Sequence, residues 1–324
     1  MRYVQLETSK PISKIGLGTW QFGSREWGYG PGYEADATAI VRRALELGVT
    51  LFDTAEIYGF GRSERILGAA LGEDRTNVVV ATKIFPLLPL APIVQQRAVA
   101  SAARLGVRSI DLYQVHQPNP VIGDRTIMRG MRLLQHVGLV GEVGVSNYSL
   151  RRWQQAEAEL GRRVLSNQVR YSLLARAPED DLLPYAKSAG RLVIAYSPLA
   201  QGFVSGRYSA DNPPSGAVRR ANPLFLPDNL QRGAPLIAAL RAVAAAHDAT
   251  TSQIALAYLL RHPSVVAIPG ASSVEQMERN VAAAEIDLTD DEYSALLAAA
   301  RAFHPVTGVA ALPKLIRGRV RAVR

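Results

Sequence analysis

The feature that most restricts what this chain can become is an alternation that runs almost from end to end. Short β-branched segments, KIGLG, TLFD, NVVVATK, IDLYQVH, GEVGV, LSNQV, RLVIAY and SVVAIPG, are separated by longer stretches of helical period such as ADATAIVRRALELG, SERILGAALG and APIVQQRAVASAARLG. Several of the helical stretches stop at a glycine just past the last turn. Strands joined by crossover helices must run parallel, and eight such units close into a (β/α)8 barrel; an open doubly wound sheet is the second architecture the pattern allows. With 324 residues, 48% of them hydrophobic, the chain is long enough to bury one large core, so one barrel domain over 1–324 is expected rather than two domains.

Two stretches depart from the alternation. More than thirty residues rich in Pro, Gly and Asn follow RLVIAY, well beyond the usual βα connection, and loops of that length usually carry function. The segment TDDEYSALLAAARA, 289–302, reads as an additional capped amphipathic helix.

Composition removes several function classes. There is no cysteine, so disulfides, thiolate nucleophiles and cysteine-ligated zinc are all excluded, no resident metal is expected, and a reducing, cytoplasmic setting fits. The N-terminus, MRYVQLETSKP, has charges where a secretory leader needs an apolar run, and VVVATKIFPLLPLAPIV contains Lys83 and three prolines, so no membrane role is expected. Of the net +9 charge, five cations sit in the tail 313–324 (Lys314, Arg317, Arg319, Arg321, Arg324), which has no aromatic residue to stack on bases; a solvated basic tail, not a nucleic-acid site, is the reading.

In a barrel of this kind chemistry gathers where strands end. TLFD ends at Asp53 with Tyr58 in the following loop, NVVVATK at Lys83 and IDLYQVH at His116. Each has an ordinary explanation alone: a turn residue, a half-buried aromatic, a snorkelling lysine, a satisfied core histidine. Together they make a proton-transfer group. An ammonium beside a phenol lowers its pKa, Asp53 would hold Lys83 charged, and His116 would hydrogen-bond a carbonyl oxygen or share the proton. Tyr58 would then be the acid of a reduction and the base of the reverse oxidation.

At these residues the chain resembles the aldo-keto reductase family, over nearly its whole length, through GLGTW (16–20), FDTAEIYGFGRSE (52–64), TK (82–83), DLYQVHQP (111–118), GEVGVSNYS (141–149), NQVRYSLL (167–174), YSPLAQGFVSGRY (196–208) and IPGASSVEQMERN (268–280). The resemblance implies a (β/α)8 TIM barrel preceded by a small N-terminal β-hairpin, an extended NADP(H) on its C-terminal face, and the tetrad Asp53, Tyr58, Lys83 and His116. It implies nicotinamide contacts from Ser146, Asn147 and Gln168, ring stacking on Tyr196, pyrophosphate contacts from Ser197, Pro198, Leu199 and Arg207 under the long loop as a clasp, and adenosine contacts from Gly270, Ser272, Gln276 and Asn280. Thr19, Trp20 and Asp53 complete the expected cofactor set. Ser272 and Ser273 stand where many relatives place a cation for the 2′-phosphate, and Arg279 where they often place an acid, so NAD(H) competes with the favoured NADP(H). No GxGxxG fingerprint offers a Rossmann alternative.

Trp20, Trp27, Tyr29, Tyr58, Phe85, His116 and part of the loop 203–235 are expected to form an apolar pocket for an aldehyde or ketone. Two other classes remain open: a regulatory subunit that binds NADP(H) with little turnover, and a Schiff-base lyase acting through Lys83. Oligomeric state is not legible.

Overall fold

The computed structural model describes residues 1–8, 10–23 and 33–311. Eight parallel strands stand side by side in chain order: β1 (Leu17–Gly18), β2 (Leu51–Asp53), β3 (Val79–Ile84), β4 (Ile110–Val115), β5 (Val140–Ser146), β6 (Ser166–Arg170), β7 (Leu192–Tyr196) and β8 (Val265–Ala267). A parallel bridge between Ile15 and Ala267 joins the chain entering β1 to β8, with Gly16 N donating to Ala267 O at 2.8 Å and Ala267 N to Lys14 O at 3.0 Å. Lys14 rivets this seam from below: its Nζ donates to the carbonyls of His262, Pro263 and Val265. The sheet therefore closes on itself, and the open-sheet alternative is set aside. The expected N-terminal hairpin is present as a single antiparallel bridge, Tyr3 to Ser13.

The helices follow from their sequence period. In Ala91–Leu105 the buried residues Val94, Ala98, Ser101, Ala102 and Leu105 recur every three or four positions, and Gly106 ends the helix in the left-handed region. The additional helix predicted near the C-terminus runs from Asp290 to Ala302 behind a capping box formed by Thr289 and Glu292, and buries Leu296 and Ala300. Among the described residues no helix is long and apolar enough to cross a membrane.

The interior of the barrel is divided along its axis, and that division positions the site. Strand residues two apart share a face. Toward the N-terminal end that face is aliphatic, with Leu51, Val79, Leu112, Leu192 and Val266 in one buried cluster. Toward the C-terminal end the interior becomes polar: Asp53 on β2, Lys83 on β3, Gln114 on β4, and Ser166 and Gln168 on β6, all buried. A second apolar layer lies between strands and helices, where Trp153 is fully buried and donates its Nε1 proton to Val164 O at 3.0 Å.

The long connection after β7 is ordered by short turns, Ala200–Ser205, Ala217–Arg220 and Pro223–Phe225, before the helix Pro227–Ala246. Ser197, Ala200 and Gln201 take positive φ there. Arg219 Nε and Asn222 Nδ2 hold the Gln201 carbonyl and side chain, both at 2.9 Å.

Candidate active site

Asp53, the last residue of β2, and Lys83, next to last in β3, meet inside the barrel mouth. Lys83 Nζ donates to Asp53 Oδ1 at 2.5 Å and to Thr54 O at 2.8 Å, and lies 3.5 Å from the Tyr58 hydroxyl and 5.1 Å from its ring centre. His116 stands edge-on to Tyr58 with ring centres 5.6 Å apart, and Phe85 stands edge-on to His116 at 6.1 Å. The four residues read from strand ends thus converge on one spot at the C-terminal face.

Their electrostatics correct part of the sequence reading. Burial is the largest influence on Tyr58 and raises its pKa above the ordinary tyrosine value; Lys83 acts downward, as expected, but is outweighed. Burial alone would lower Lys83, yet Asp53 and Tyr58 together move it upward, so it is an ammonium. Burial, followed by the Lys83 charge, pushes His116 down to about 3. His116 is therefore a neutral imidazole, a hydrogen-bond donor rather than a proton carrier. Among the described residues its Nδ1 is buried without a partner, so the tautomer protonated on Nε2, which buries only a lone pair, is the less costly one.

The loop carrying Tyr58 is held by groups that sequence reasoning did not single out. A Cβ on Gly23 would lie 2.4 Å from the Tyr58 carbonyl carbon, and one on Gly59 2.5 Å from Gly23 O, so the glycines around Tyr58 let the loops after β1 and β2 touch backbone to backbone. Thr19, Thr54 and Ser63 form a buried hydroxyl cluster, in which Thr19 Oγ1 donates to Asp53 O at 2.9 Å and Ser63 Oγ to Thr19 O at 2.8 Å. From outside, Arg97 bonds Glu56 and donates to Phe85 O at 2.7 Å, while Glu56 accepts from Phe85 N. Arg104 bonds the buried Glu64, which also accepts from Thr82 Oγ1 at 2.7 Å. The only sequence signal for these clamps was the seven-residue spacing of Arg97 and Arg104, two turns on one helix flank.

The expected cofactor residues also lie along the C-terminal face. Ser146 Oγ donates to Gln168 O at 2.8 Å; Asn147, at φ 62°, donates to Ser146 Oγ and accepts from the Tyr196 hydroxyl at 3.0 Å. Gln168 Nε2 donates to Asp53 Oδ2 at 2.7 Å, which leaves its Oε1 free of hydrogen bonds among the described residues. This donor and acceptor set fits a carboxamide lying beside the half-buried face of Tyr196. Ser197 and Leu199 are half-buried, Pro198 is buried and Arg207 is exposed in the clasp. Ser272 donates both N–H and Oγ–H to Gln276 Oε1, Asn280 Nδ2 donates to Gly270 O at 3.3 Å, and Arg279 pairs with Glu275 at 2.8 Å. Trp20 is 43% exposed at the mouth. Trp27, Tyr29 and the tail 313–324 lie outside the described residues.

Comparison with known proteins places this geometry. The sequence model of the Aldo/keto reductase family matches residues 14–301. An uncharacterised oxidoreductase of Mycobacterium tuberculosis is 56% identical over 321 residues, 99% of each chain. Among solved structures, the glycerol dehydrogenase of Gluconobacter oxydans superposes with a TM-score of 0.85 at 26% identity, covering 95% of this chain and 98% of that one. An aldo-keto reductase of Klebsiella pneumoniae in complex with NADPH gives 0.75 at 29% identity, covering 95% and 96%.

Proposed function

The chain belongs to the aldo/keto reductase family, and from that premise we propose that it reduces aldehyde or ketone carbonyls to alcohols with NADP(H) as the preferred cofactor and Tyr58 as the proton donor. The observation that carries the proposal is the Lys83 ammonium set between Asp53 at 2.5 Å and the Tyr58 hydroxyl at 3.5 Å, inside a mouth that His116 shares.

Ser146, Asn147 and Gln168 would hold the nicotinamide carboxamide, Tyr196 its ring, Ser197 to Leu199 with Arg207 the pyrophosphate, and Gly270, Ser272, Gln276 and Asn280 the adenosine. Bound there, the dihydronicotinamide supplies the hydride that reaches the carbonyl carbon. The protein does the rest. His116, neutral and donating from Nε2, and Tyr58 orient the carbonyl oxygen; as negative charge gathers on that oxygen, the Lys83 ammonium stabilises it through Tyr58, and Tyr58 delivers its proton. A phenol kept protonated by burial suits this direction, because the oxygen it serves becomes far more basic than a phenolate.

The substrate side supports an apolar carbonyl compound. Ile57, Leu87, Leu88 and Val121, from the loops after β2, β3 and β4, are 40%, 70%, 54% and 89% exposed. Schiff-base chemistry at Lys83 is disfavoured by the two oxygens that hold it as an ammonium. NADP(H) is preferred by likeness to the Klebsiella structure; with no cation at 272 or 273, NAD(H) is its competitor.

The test is a fluorescence titration with NADPH and NADH, then a carbonyl panel with the tighter binder. Wild-type protein should turn over many times, while Tyr58→Phe and Lys83→Met should bind nucleotide within about twofold of wild type and lose about 100-fold or more in kcat. Full activity in Tyr58→Phe would remove the assignment, and tight binding with no repeated turnover on any carbonyl would favour the regulatory reading.

A further inference from the structure

Gln114 is a fully buried, uncharged polar residue one step along β4 from the aliphatic Leu112. A primary amide in that position costs free energy unless its bonds are made. Here they are made toward the site: Nε2 donates to Asp53 Oδ2 at 3.3 Å, and Oε1 accepts from Ser166 Oγ at 3.4 Å. Gln168 Nε2 donates to the same Asp53 oxygen at 2.7 Å. Asp53 is thus gripped from two sides, with Oδ1 on the Lys83 ammonium and Oδ2 on two neutral amides from β4 and β6.

The strand between them is shaped for this. Gly144 on β5 lies where a Cβ would meet Ser166 Oγ at 2.4 Å and Gln114 Cγ at 2.9 Å, so any other residue there would force the pair apart. The arrangement spans β4, β5 and β6, and its output is the orientation of one carboxylate on β2.

We propose that Gln114 is a positioning residue for the reaction: with Gln168 it fixes the plane of the Asp53 carboxylate and so sets where Lys83 stands relative to the Tyr58 hydroxyl. Two amides do this without a second cation, which would compete with Lys83 for Asp53. Without Gln114 the carboxylate keeps one anchoring amide and can rotate about its χ2, and the 3.5 Å separation between Lys83 and Tyr58 has no slack to lose.

The kinetic arm of the test rests on the reductase reading; the stability arm does not. Gln114→Met, which keeps volume and loses the amide, should lower kcat about 10-fold or more with NADPH affinity and KM within about twofold. Gln114→Glu puts a carboxyl group against Asp53 Oδ2, and two carboxyl groups in contact share a proton, so the introduced group titrates above the usual carboxylate range. Its stabilising form is then the protonated one, present at low pH and lost as pH rises. The Tm of Gln114→Glu, measured without cofactor, should therefore fall between about pH 5 and 8 relative to Gln114→Met. Adding Asp53→Asn should shrink that fall to the part that burial alone causes, since the like charge is gone. Wild-type kcat in Gln114→Met would overturn the positioning role. A fall in Tm that is the same with and without Asp53→Asn would overturn the contact on which it rests, and this second result can be read even if no carbonyl is ever turned over.

Discussion

At the scale of single residues, the proposed tetrad would act as a store of one proton rather than as a chain of titrating groups. Tyr58 is raised by burial, more than Lys83 lowers it, and His116 is held neutral by burial and by Lys83. Two pH profiles follow. Carbonyl reduction should show no inflection near 6.5, the ordinary histidine value, and should hold level into the alkaline range until Tyr58 ionises, later than an ordinary tyrosine because it is buried. Alcohol oxidation, which needs the phenolate, should climb with pH over the same range. A reduction profile that breaks between pH 5.5 and 7.5 in the wild type and loses that break in His116→Asn would contradict this picture; the range brackets the ordinary histidine value by about one unit. The folded His116 pKa lies below its unfolded value, so the stability tied to its neutral form is present above 6.5 and lost as pH falls from there toward about 3. Acid unfolding followed by circular dichroism should accordingly be shallower for His116→Asn. That these four side chains would meet was legible because Asp53, Lys83 and His116 stand at the ends of apolar strands and Tyr58 follows in the loop after the first. The net direction at Tyr58 was not, since a sequence shows the neighbouring charge but not the depth of burial that opposes it.

At the scale of elements, the helix Ala91–Leu105 acts on the site without reaching it. Arg97 and Arg104 stand two turns apart and grasp Glu56 and Glu64, which bracket Tyr58 in its loop. Arg97 also binds the carbonyl of Phe85, so the loops after β2 and β3 share one clasp. Arg97→Met should therefore lower kcat about 10-fold and increase proteolytic nicking near residues 85–90, with NADPH affinity unchanged, because the nucleotide is proposed to lie across the ends of β5 to β8. Nicking and kcat both at wild-type values would show that the clamp is idle. Strand and helix identities were readable from period and caps, and the expected helix at 289–302 starts one residue inside its predicted span. The clamps escaped notice because ion pairs between a loop and a later helix leave no local pattern, and the hydrogen bonds of Gln114 escaped for the same reason.

At the scale of the whole molecule, the barrel separates the work of holding together from the work of reacting. Its aliphatic N-terminal interior and the outer layer around Trp153 supply cohesion, and the polar C-terminal interior gathers Asp53, Lys83, Gln114 and Gln168. Trp153→Ala should cost about 3–5 kcal/mol in urea unfolding while leaving the pH profile of reduction in place, since Trp153 packs in the outer apolar layer against Tyr185 and Val164. Lys14→Ala should loosen the seam and speed hydrogen exchange at the amides of Gly16 and Ala267 ahead of those in β4 and β5; uniform exchange would show that the seam is no weaker than the rest. Alternation in the sequence foretold the eight strands, but the closure rests on contacts between Lys14 and Val265, 251 positions apart. During synthesis the first stave of the barrel leaves the ribosome long before the last, so its outer rim waits, amides uncovered, through most of translation. That rim, from Lys14 to Gly18, is only a few residues long, which gives a passing nascent chain little to zip onto before β8 arrives to cover it.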